Sequence, residues 1–341
     1  MVHALHEAQS LGLSTVQVFT KNQQQWKPTP LDEGVAREWC DTLRAWGWDA
    51  GGPTGRGRVV SHASYLINLA SPNDELWEKS IALMRVEIER CEKLNIAFLV
   101  HHPGAFTTST REEGLARIAR AYARLHKDLP GFRTCMCLEG TAGSGSNLGG
   151  PFEDLRDLRS QILGLGVPGH LVGFCLDTCH LHAAGHDMSS VQAARASLAR
   201  FDELCGLQHV RVWHLNDSKG GLGSHLDRHD HIGMGCVGGR GAMPPPKGSP
   251  AIVQAPTAQA PTPQTLATSG FAAVLARFAS LPVPMILETP KEDAKEARGM
   301  AMTDRADWTN LQRLRGILDA SGPAGAAERG ADANNRRPPK D

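Results

Sequence analysis

No stretch of this 341-residue chain approaches the unbroken apolar length of a membrane span. The N-terminus also lacks the charged-then-apolar layout of a secretory leader, because Met1 to Leu11 carries His3, His6 and Glu7. Both absences predict a cytoplasmic protein without membrane attachment. An excess of charge of one sign is missing too. Lys plus Arg is 36 and Asp plus Glu is 36, a formal net charge of zero that excludes phosphate binding by a broad basic surface. The eight cysteines (Cys40, Cys91, Cys135, Cys137, Cys175, Cys179, Cys205 and Cys236) lack the paired spacing of a zinc ribbon, and the chain is no small secreted scaffold. Reduced, mostly buried thiols are expected. What is present is a hydrophobic content of 41%, enough for a sizeable core, and 15 histidines.

Short runs rich in Val, Ile and Phe recur along the chain, at 15–19, 59–61, 97–101, 134–138, 172–176, 210–213 and 285–287. Helix-like stretches fill the intervals, at about 31–48, 74–93, 111–128, 152–163, 188–206, 269–279 and 304–319. Pro72-Asn73-Asp74 and Ser269 are start signals for two of them. This alternation predicts an α/β protein with a parallel sheet and helical crossovers, a TIM-type (β/α)8 barrel over residues 1–320. Seven strands are visible where such a barrel has eight, and the chain opens in a helix-like stretch from Val2 to Leu11. The first strand is therefore the one expected to be lacking. Residues 238–268, rich in Pro, Ala, Gly and Gln, read as an unstructured insertion, and 321–341 as a disordered tail.

Each of six successive runs is followed by His, Asp or Glu: His62, His102, Glu139, Asp177, His214 and Glu288. Strand C-termini of a parallel barrel open on one face, so these residues converge on one cavity. Imidazole with carboxylate is a ligand set for zinc, with manganese and iron as rivals. His180 follows Asp177 closely, and Asp227 and His229, two apart, share one side of an extended loop. The nine ligands exceed what one zinc takes, and suggest two or three ions. Three divalent ions would outweigh the four ligand carboxylates, giving a locally positive pocket for a phosphodiester inside a neutral protein.

The sequence resembles the endonuclease IV family of zinc-dependent apurinic/apyrimidinic endonucleases. The likeness rests on FTKNQQQW (19–26), SHASYLINLASP (61–72), VHHPGA (100–105), LEGTAGSGSNLGG (138–150), LDTCHLHAAGHD (176–187), HLNDSKGGLGSHLDRHDHIGMG (214–235) and ILETP (286–290). It implies one zinc on His62, His102 and Glu139, a second on Glu139, Asp177, His214 and Glu288, and a third on His180, Asp227 and His229. It further implies a nucleophile held between the first pair of ions, a leaving 3′ oxygen stabilised by the third, and cleavage 5′ to an abasic sugar. The products would be a 3′-hydroxyl and a 5′-deoxyribose phosphate, and trimming of blocked 3′ ends is expected with the same chemistry. Tyr65 falls in a loop that the resemblance sends into the DNA minor groove beside the flipped-out nucleotide, although a Tyr packed on the barrel is the plain alternative. Gln24 stands where the family commonly has Arg. Lys21, Asn216 and Lys219 are further possible DNA contacts. The partner implied is double-stranded DNA with abasic sites or blocked 3′ ends, met by a monomer.

Gly140 departs from the family's usual Asn and is expected to loosen the surroundings of Glu139. His101 should point to the opposite side of its strand from His102, while His182, His186, His225 and His231 are expected at the rim or behind the ligands, supporting them. The N-terminus departs most. Family members place a strand and a His-containing loop before the helix that begins here at Val2, which leaves the first and last strands expected to face each other across a gap with unpaired edges. A mis-assigned start codon is the preferred explanation, a disabled paralogue the second. Two rival readings of the chain are a metal-dependent sugar isomerase or epimerase of the same architecture, and a non-catalytic binder of abasic DNA. The isomerase needs fewer ligands than His180, Asp227 and His229 bring the total to.

Overall fold

The structure is a computed structural model describing residues 1–49, 57–239, 261–291 and 305–320. Its main sheet contains β1 (Val16–Val18), β2 (Val59–His62), β3 (Phe98–His101), β4 (Cys135–Glu139), β5 (Val172–Asp177), β6 (Val210–His214) and β9 (Met285–Ile286). These seven strands are all parallel and lie in chain order. Each crossover is helical: α2 (Glu33–Ala45), α3 (Asp74–Lys93), α4 (Arg111–Asp128), α5 (Phe152–Gly164), α7 (Val191–Cys205) and α9 (Gly270–Phe278). α1 (Val2–Ser10) precedes the barrel and α10 (Arg305–Ala320) follows it.

Local chemistry accounts for these boundaries. Asn73 caps α3, its Oδ1 accepting from the Leu76 amide at 2.8 Å, as the Pro-Asn-Asp triplet predicts. Asp32, Thr110 and Ser190 cap α2, α4 and α7 in the same way. Ser269 stands at the start of α9 but its hydroxyl donates back to the Leu266 carbonyl at 2.6 Å, so it closes the preceding turn instead of capping the helix. That turn belongs to α8 (Pro263–Leu266), whose Leu266 is buried, so the expected unstructured insertion ends earlier than 268. Residues 240–260 and the expected tail at 321–341 lie outside the described residues.

Among the described residues the sheet does not close: no ladder joins β1 to β9, as the seven-strand count anticipated. Between them lies a cavity of about 1160 Å³, lined by Val16, Gln17, Val18, Ile286, Leu287 and Glu288 among others. Two features were not anticipated. One is α6 (Thr178–Ala184), directly after β5; the other is an antiparallel ribbon of β7 (Asp217–Ser218) and β8 (His229–Asp230) at the barrel mouth.

The core has two parts. Outside the sheet, Trp39, Tyr122, Phe152, Phe174, Phe201, Phe271 and Phe278 are fully buried beneath the helices. Inside it, Val60, Val100, Cys135, Cys137, Cys175, Val212 and Ile286 form a separate apolar plug. All eight cysteines are free, and all but Cys40 are buried. Successive strand side chains alternate in direction. The residue two positions beyond each plug residue therefore also points inward, one layer nearer the mouth. Val60 is followed in this way by His62, Val100 by His102, Cys137 by Glu139, Cys175 by Asp177, Val212 by His214 and Ile286 by Glu288. The same parity sends His101 outward, where its Nε2 meets the Tyr122 hydroxyl at 2.6 Å.

Candidate metal centre

The layer above the plug, with His180 from α6 and Asp227 and His229 from the segment that ends in β8, brings together all nine residues singled out from the sequence. They form three groups whose ligating atoms lie within 4.8 Å of one another: His62, His102 and Glu139; Glu139, Asp177, His214 and Glu288; and His180, Asp227 and His229. Glu139, at the end of β4, is fully buried and shared by two groups. Its Oε2 lies 3.1 Å from His62 Nε2 and 3.3 Å from His102 Nε2, and its Oε1 lies 3.0 Å from His214 Nδ1. Glu288 Oε2 is also 3.0 Å from His214 Nδ1. Asp177 caps α6, its Oδ1 accepting from the amides of Cys179 and His180 at 2.6 and 3.0 Å. Its Oδ2 is left facing His229 Nε2 at 3.5 Å.

Four of the five imidazoles are oriented through their other nitrogen. His62 Nδ1 reaches the Ala63 carbonyl at 2.8 Å, His180 Nδ1 the Gly140 carbonyl at 2.9 Å and His229 Nδ1 the Glu288 carbonyl at 3.1 Å. His214 Nε2 meets the Gln17 side chain at 2.9 Å. Such contacts fix the tautomer and present the opposite nitrogen to a metal. Gly140 therefore serves the site through its carbonyl, whatever its missing side chain removes near Glu139. Gly149 has φ +94°, and a Cβ there would stand 3.0 Å from the Glu139 carbonyl, so the loop beside β4 needs glycine at that point.

The donor set fits divalent ions. His180 Nε2 and His229 Nε2 are buried without a hydrogen-bond partner, and both face Asp227 Oδ1, at 3.2 and 3.4 Å. Two inward-facing imidazole nitrogens about one carboxylate are costly to bury unless something binds them. Electrostatics agree. Burial raises the Glu139 carboxyl, but His214, His102 and His180 outweigh it and hold the group well below the usual range. Glu288 is likewise brought down to about 2 by His214, against burial. His180, facing it at 3.2 Å, takes Asp227 to about 2. Burial opposes charge on His62, His180 and His214, yet their acidic neighbours raise all three. Without metal, the raised His62, His180 and His214 offset the buried carboxylates.

The rim residues fall into two sets. Tyr65 is 57% exposed, with its ring 5.1 Å from that of His62 and 5.8 Å from those of His102 and Phe19. Gln24 and Lys219 are exposed. Lys21 and Asn216 do not fit the role of DNA contacts. The Lys21 side chain is 3% exposed; its Nζ donates to the carbonyls of Asn22 and Gln25 and lies 3.6 Å from Glu87. Asn216 is fully buried, donating to Asp177 Oδ2 at 2.7 Å and accepting from the Glu288 amide at 2.8 Å, so it ties two ligands together. Of the other histidines, His186 stacks on Phe152 and donates to the Gly150 carbonyl, and His182 accepts from the Met188 amide.

Three supporting residues were missed from the sequence. Glu87, buried in α3, bonds Thr20 Oγ1 and the Ser64 amide, joining the loops that follow β1 and β2. It lies on the helix's core stripe with Ser80, Met84, Ile88 and Cys91, and an acid at such a position is a readable signal. Asp217 accepts from the amides of Ser218, Gly233, Val237 and Gly238, and so folds the segment carrying His229 back on itself. Gln17 is a polar residue between Val16 and Val18, and strand parity would have turned it inward.

A strand-end ring of imidazoles and carboxylates in a parallel barrel defines a class, and the family description "Xylose isomerase-like TIM barrel" matches residues 5–243. Within that class the chain belongs to the endonuclease 4 family. It is 42% identical over 315 residues to a probable endonuclease 4 of Chloroflexus aurantiacus, covering 92% of each chain. It is 37% identical over 308 residues to that of Geobacter sulfurreducens, covering 90% of this chain and 87% of the relative. Crystalline endonuclease IV of Thermus thermophilus superimposes with a TM-score of 0.68 at 29% identity, over 93% of this chain and 94% of that one. A D-tagatose 3-epimerase-like protein shares the fold, with a TM-score of 0.61 at 14% identity. No helix among the described residues is long and apolar enough to cross a membrane.

Proposed function

We propose that this chain is a DNA-repair endonuclease that hydrolyses the phosphodiester 5′ to an abasic site, leaving a 3′-hydroxyl and a 5′-deoxyribose phosphate, and that also trims blocked 3′ ends. The observation carrying this reading is the grouping of nine ligands about the shared Glu139 carboxylate. His62, His102 and Glu139 would hold one zinc, Glu139, Asp177, His214 and Glu288 a second, and His180, Asp227 and His229 a third. Bound there, zinc supplies Lewis acidity, lowering the pKa of water and neutralising charge on the attacking and leaving oxygens. The chain's own part is to fix the donors. Backbone carbonyls hold His62, His180 and His229, Asn216 couples Asp177 to Glu288, and the apolar plug closes the floor against water. At the rim, Tyr65 is placed to fill the stack vacated by a displaced nucleotide, with Gln24 and Lys219 available to the DNA backbone.

His180, Asp227 and His229 argue against a sugar epimerase, which has no use for a third group. The protein is expected to act as a cytoplasmic monomer. One incubation of zinc-loaded protein with an end-labelled duplex carrying an abasic-site analogue tests the activity, with a single incision 5′ to the lesion expected. Binding without incision would make the chain a lesion binder. Elemental analysis of protein purified without chelator tests the metal, with about three zinc ions per chain expected from the ligand count. A value near one in folded protein would overturn the trinuclear site.

A further inference from the structure

His214 is the one ligand imidazole whose outward nitrogen is held by a side chain, and that side chain comes from the open seam. Gln17 stands on β1, and its amide makes two bonds: Oε1 to His214 Nε2 at 2.9 Å and Nε2 to Glu288 Oε1 at 2.5 Å. These two contacts determine each other. A carboxylate oxygen only accepts, so the amide nitrogen must face Glu288 and the amide oxygen must face His214. An amide oxygen only accepts in turn, so His214 donates from Nε2. Its Nδ1, which lies 3.0 Å from both Glu139 Oε1 and Glu288 Oε2, carries a proton shared with those carboxylates in the metal-free protein, and it is the nitrogen whose lone pair a metal in the second ligand group would take in place of that proton.

We infer that Gln17 is a positioning residue of the metal centre, fixing the His214 tautomer and the Glu288 carboxylate by one amide laid across the seam between β1 and β9. The inference rests on the metal reading of the preceding section. It explains how Glu288 is placed when, among the described residues, no strand ladder joins β9 to β1. On the β6 side, β9 pairs only through Met285 and Ile286, and Glu288 lies beyond that ladder. Its amide is held by Asn216 and its carboxylate by Gln17 and His214.

The test is chelator competition on zinc-loaded protein, read as zinc released, together with the NMR signal of the His214 Nε2 proton. Gln17→Leu keeps the bulk and removes both bonds. It is expected to release one zinc at roughly 10–100-fold lower chelator concentration, the usual loss when a group orienting a ligand is removed. The other ions should be retained as in the unaltered protein, and the Nε2 proton signal should be lost to solvent exchange. Gln17→Glu retains an acceptor for that proton but sets a carboxylate against Glu288. It should preserve the signal and still ease release, which keeps the inference testable if Gln17→Leu does not fold. If the unaltered protein holds about three zinc ions and both variants release zinc as it does, the inference is overturned. If the unaltered protein holds none, the metal reading itself fails.

Discussion

The barrel mouth is built in two ways. Along the arc from β2 to β6, His62, Glu139, Asp177 and His214 stand on strands paired on both sides and are buried at 2% exposure or less, while His102 directly follows β3. At the seam, β1 is three residues long and β9 two, among the described residues they pair on one side only, and Glu288 is held by side chains and remains partly exposed. The arc positions its donors by backbone geometry, which is stiff. The seam positions its donors by an amide and a carboxylate, which can rotate. Ligand placement should therefore be more robust on the arc and more easily lost at the seam, and single substitutions can separate the two.

The largest effect belongs to the arc. Glu139→Ala removes a carboxylate common to two ligand groups, leaving His62, His102 and His214 to repel one another across a buried space. Near-total loss of abasic-site cleavage is expected, with release of two zinc ions from protein that still binds abasic duplex. Glu288→Ala, at the seam, removes a donor from one group and should release one ion. Equal metal loss from both variants would erase the distinction between shared and unshared carboxylates, and wild-type cleavage by Glu139→Ala would mean the site is misassigned.

Acid and base sharpen the same contrast. In metal-free protein the lowered Glu139, Glu288 and Asp227 contribute stability that is present above their ordinary values, 4.5 for the glutamates and 3.8 for Asp227, and lost as pH falls through the folded values, about 2 for Glu288 and Asp227. The raised His62, His180 and His214 contribute stability that is full below their ordinary 6.5 and lost as pH rises through the folded values. The melting temperature of chelator-treated protein should peak between pH 4.5 and 6.5, and zinc should move the maximum upward. Zinc binding at pH 7 should release protons, seen as acidification of a weakly buffered sample. An unchanged pH profile on loading would mean that the imidazoles do not bind the metal.

Between arc and seam lies the ribbon that carries His229, and it is held in a third way. Asp217 collects backbone amides, and burial raises its carboxyl to about 6 even though those amides favour the charged form. Asp217→Ala leaves the amides of Gly233, Val237 and Gly238 without their acceptor, at about 1–3 kcal/mol for each that water does not reach. A lower melting temperature is expected, with faster hydrogen exchange at those three amides and early loss of the zinc on His180, Asp227 and His229. Unaltered exchange would show that the loop is held by other contacts.

The contrast also decides what was legible in the sequence. That the nine candidate ligands would converge could be read because each follows a short apolar run or sits in a distinctive motif, and strand parity does the rest. The open seam was legible as a count of seven strands. Lys21 and Asn216 were misjudged because a polar residue near a strand end reads as available to DNA whether it faces out or in; burial against Glu87 and Asp177 is a tertiary fact. Gln17 was passed over because a glutamine in a strand carries no chemistry by itself. Its meaning comes from Glu288 and His214, which the chain brings to it from 271 and 197 positions away.

The smallest expected effect lies at the rim, where the proposed DNA contacts of the two regions lie. Tyr65 belongs to the arc side: its ring packs against His62, His102 and Phe19, so its outer edge is placed before any ligand arrives. Gln24 follows β1 on the seam side; its amide is held by Asn22 Oδ1 at 2.9 Å, while the residue itself is exposed. A preplaced aromatic gives up little entropy on binding and can stack where a base has left, whereas a long exposed amide must be ordered first. Tyr65→Ala should weaken binding of abasic duplex by about 1–3 kcal/mol, the usual worth of a lost stacking platform, with little change on undamaged duplex. Gln24→Ala should cost less on abasic duplex. Titrations of both variants against the two duplexes at one salt concentration make the measurement. An equal loss on both duplexes for Tyr65→Ala would assign the ring to packing over His62, and a larger loss for Gln24→Ala would place lesion recognition on the seam.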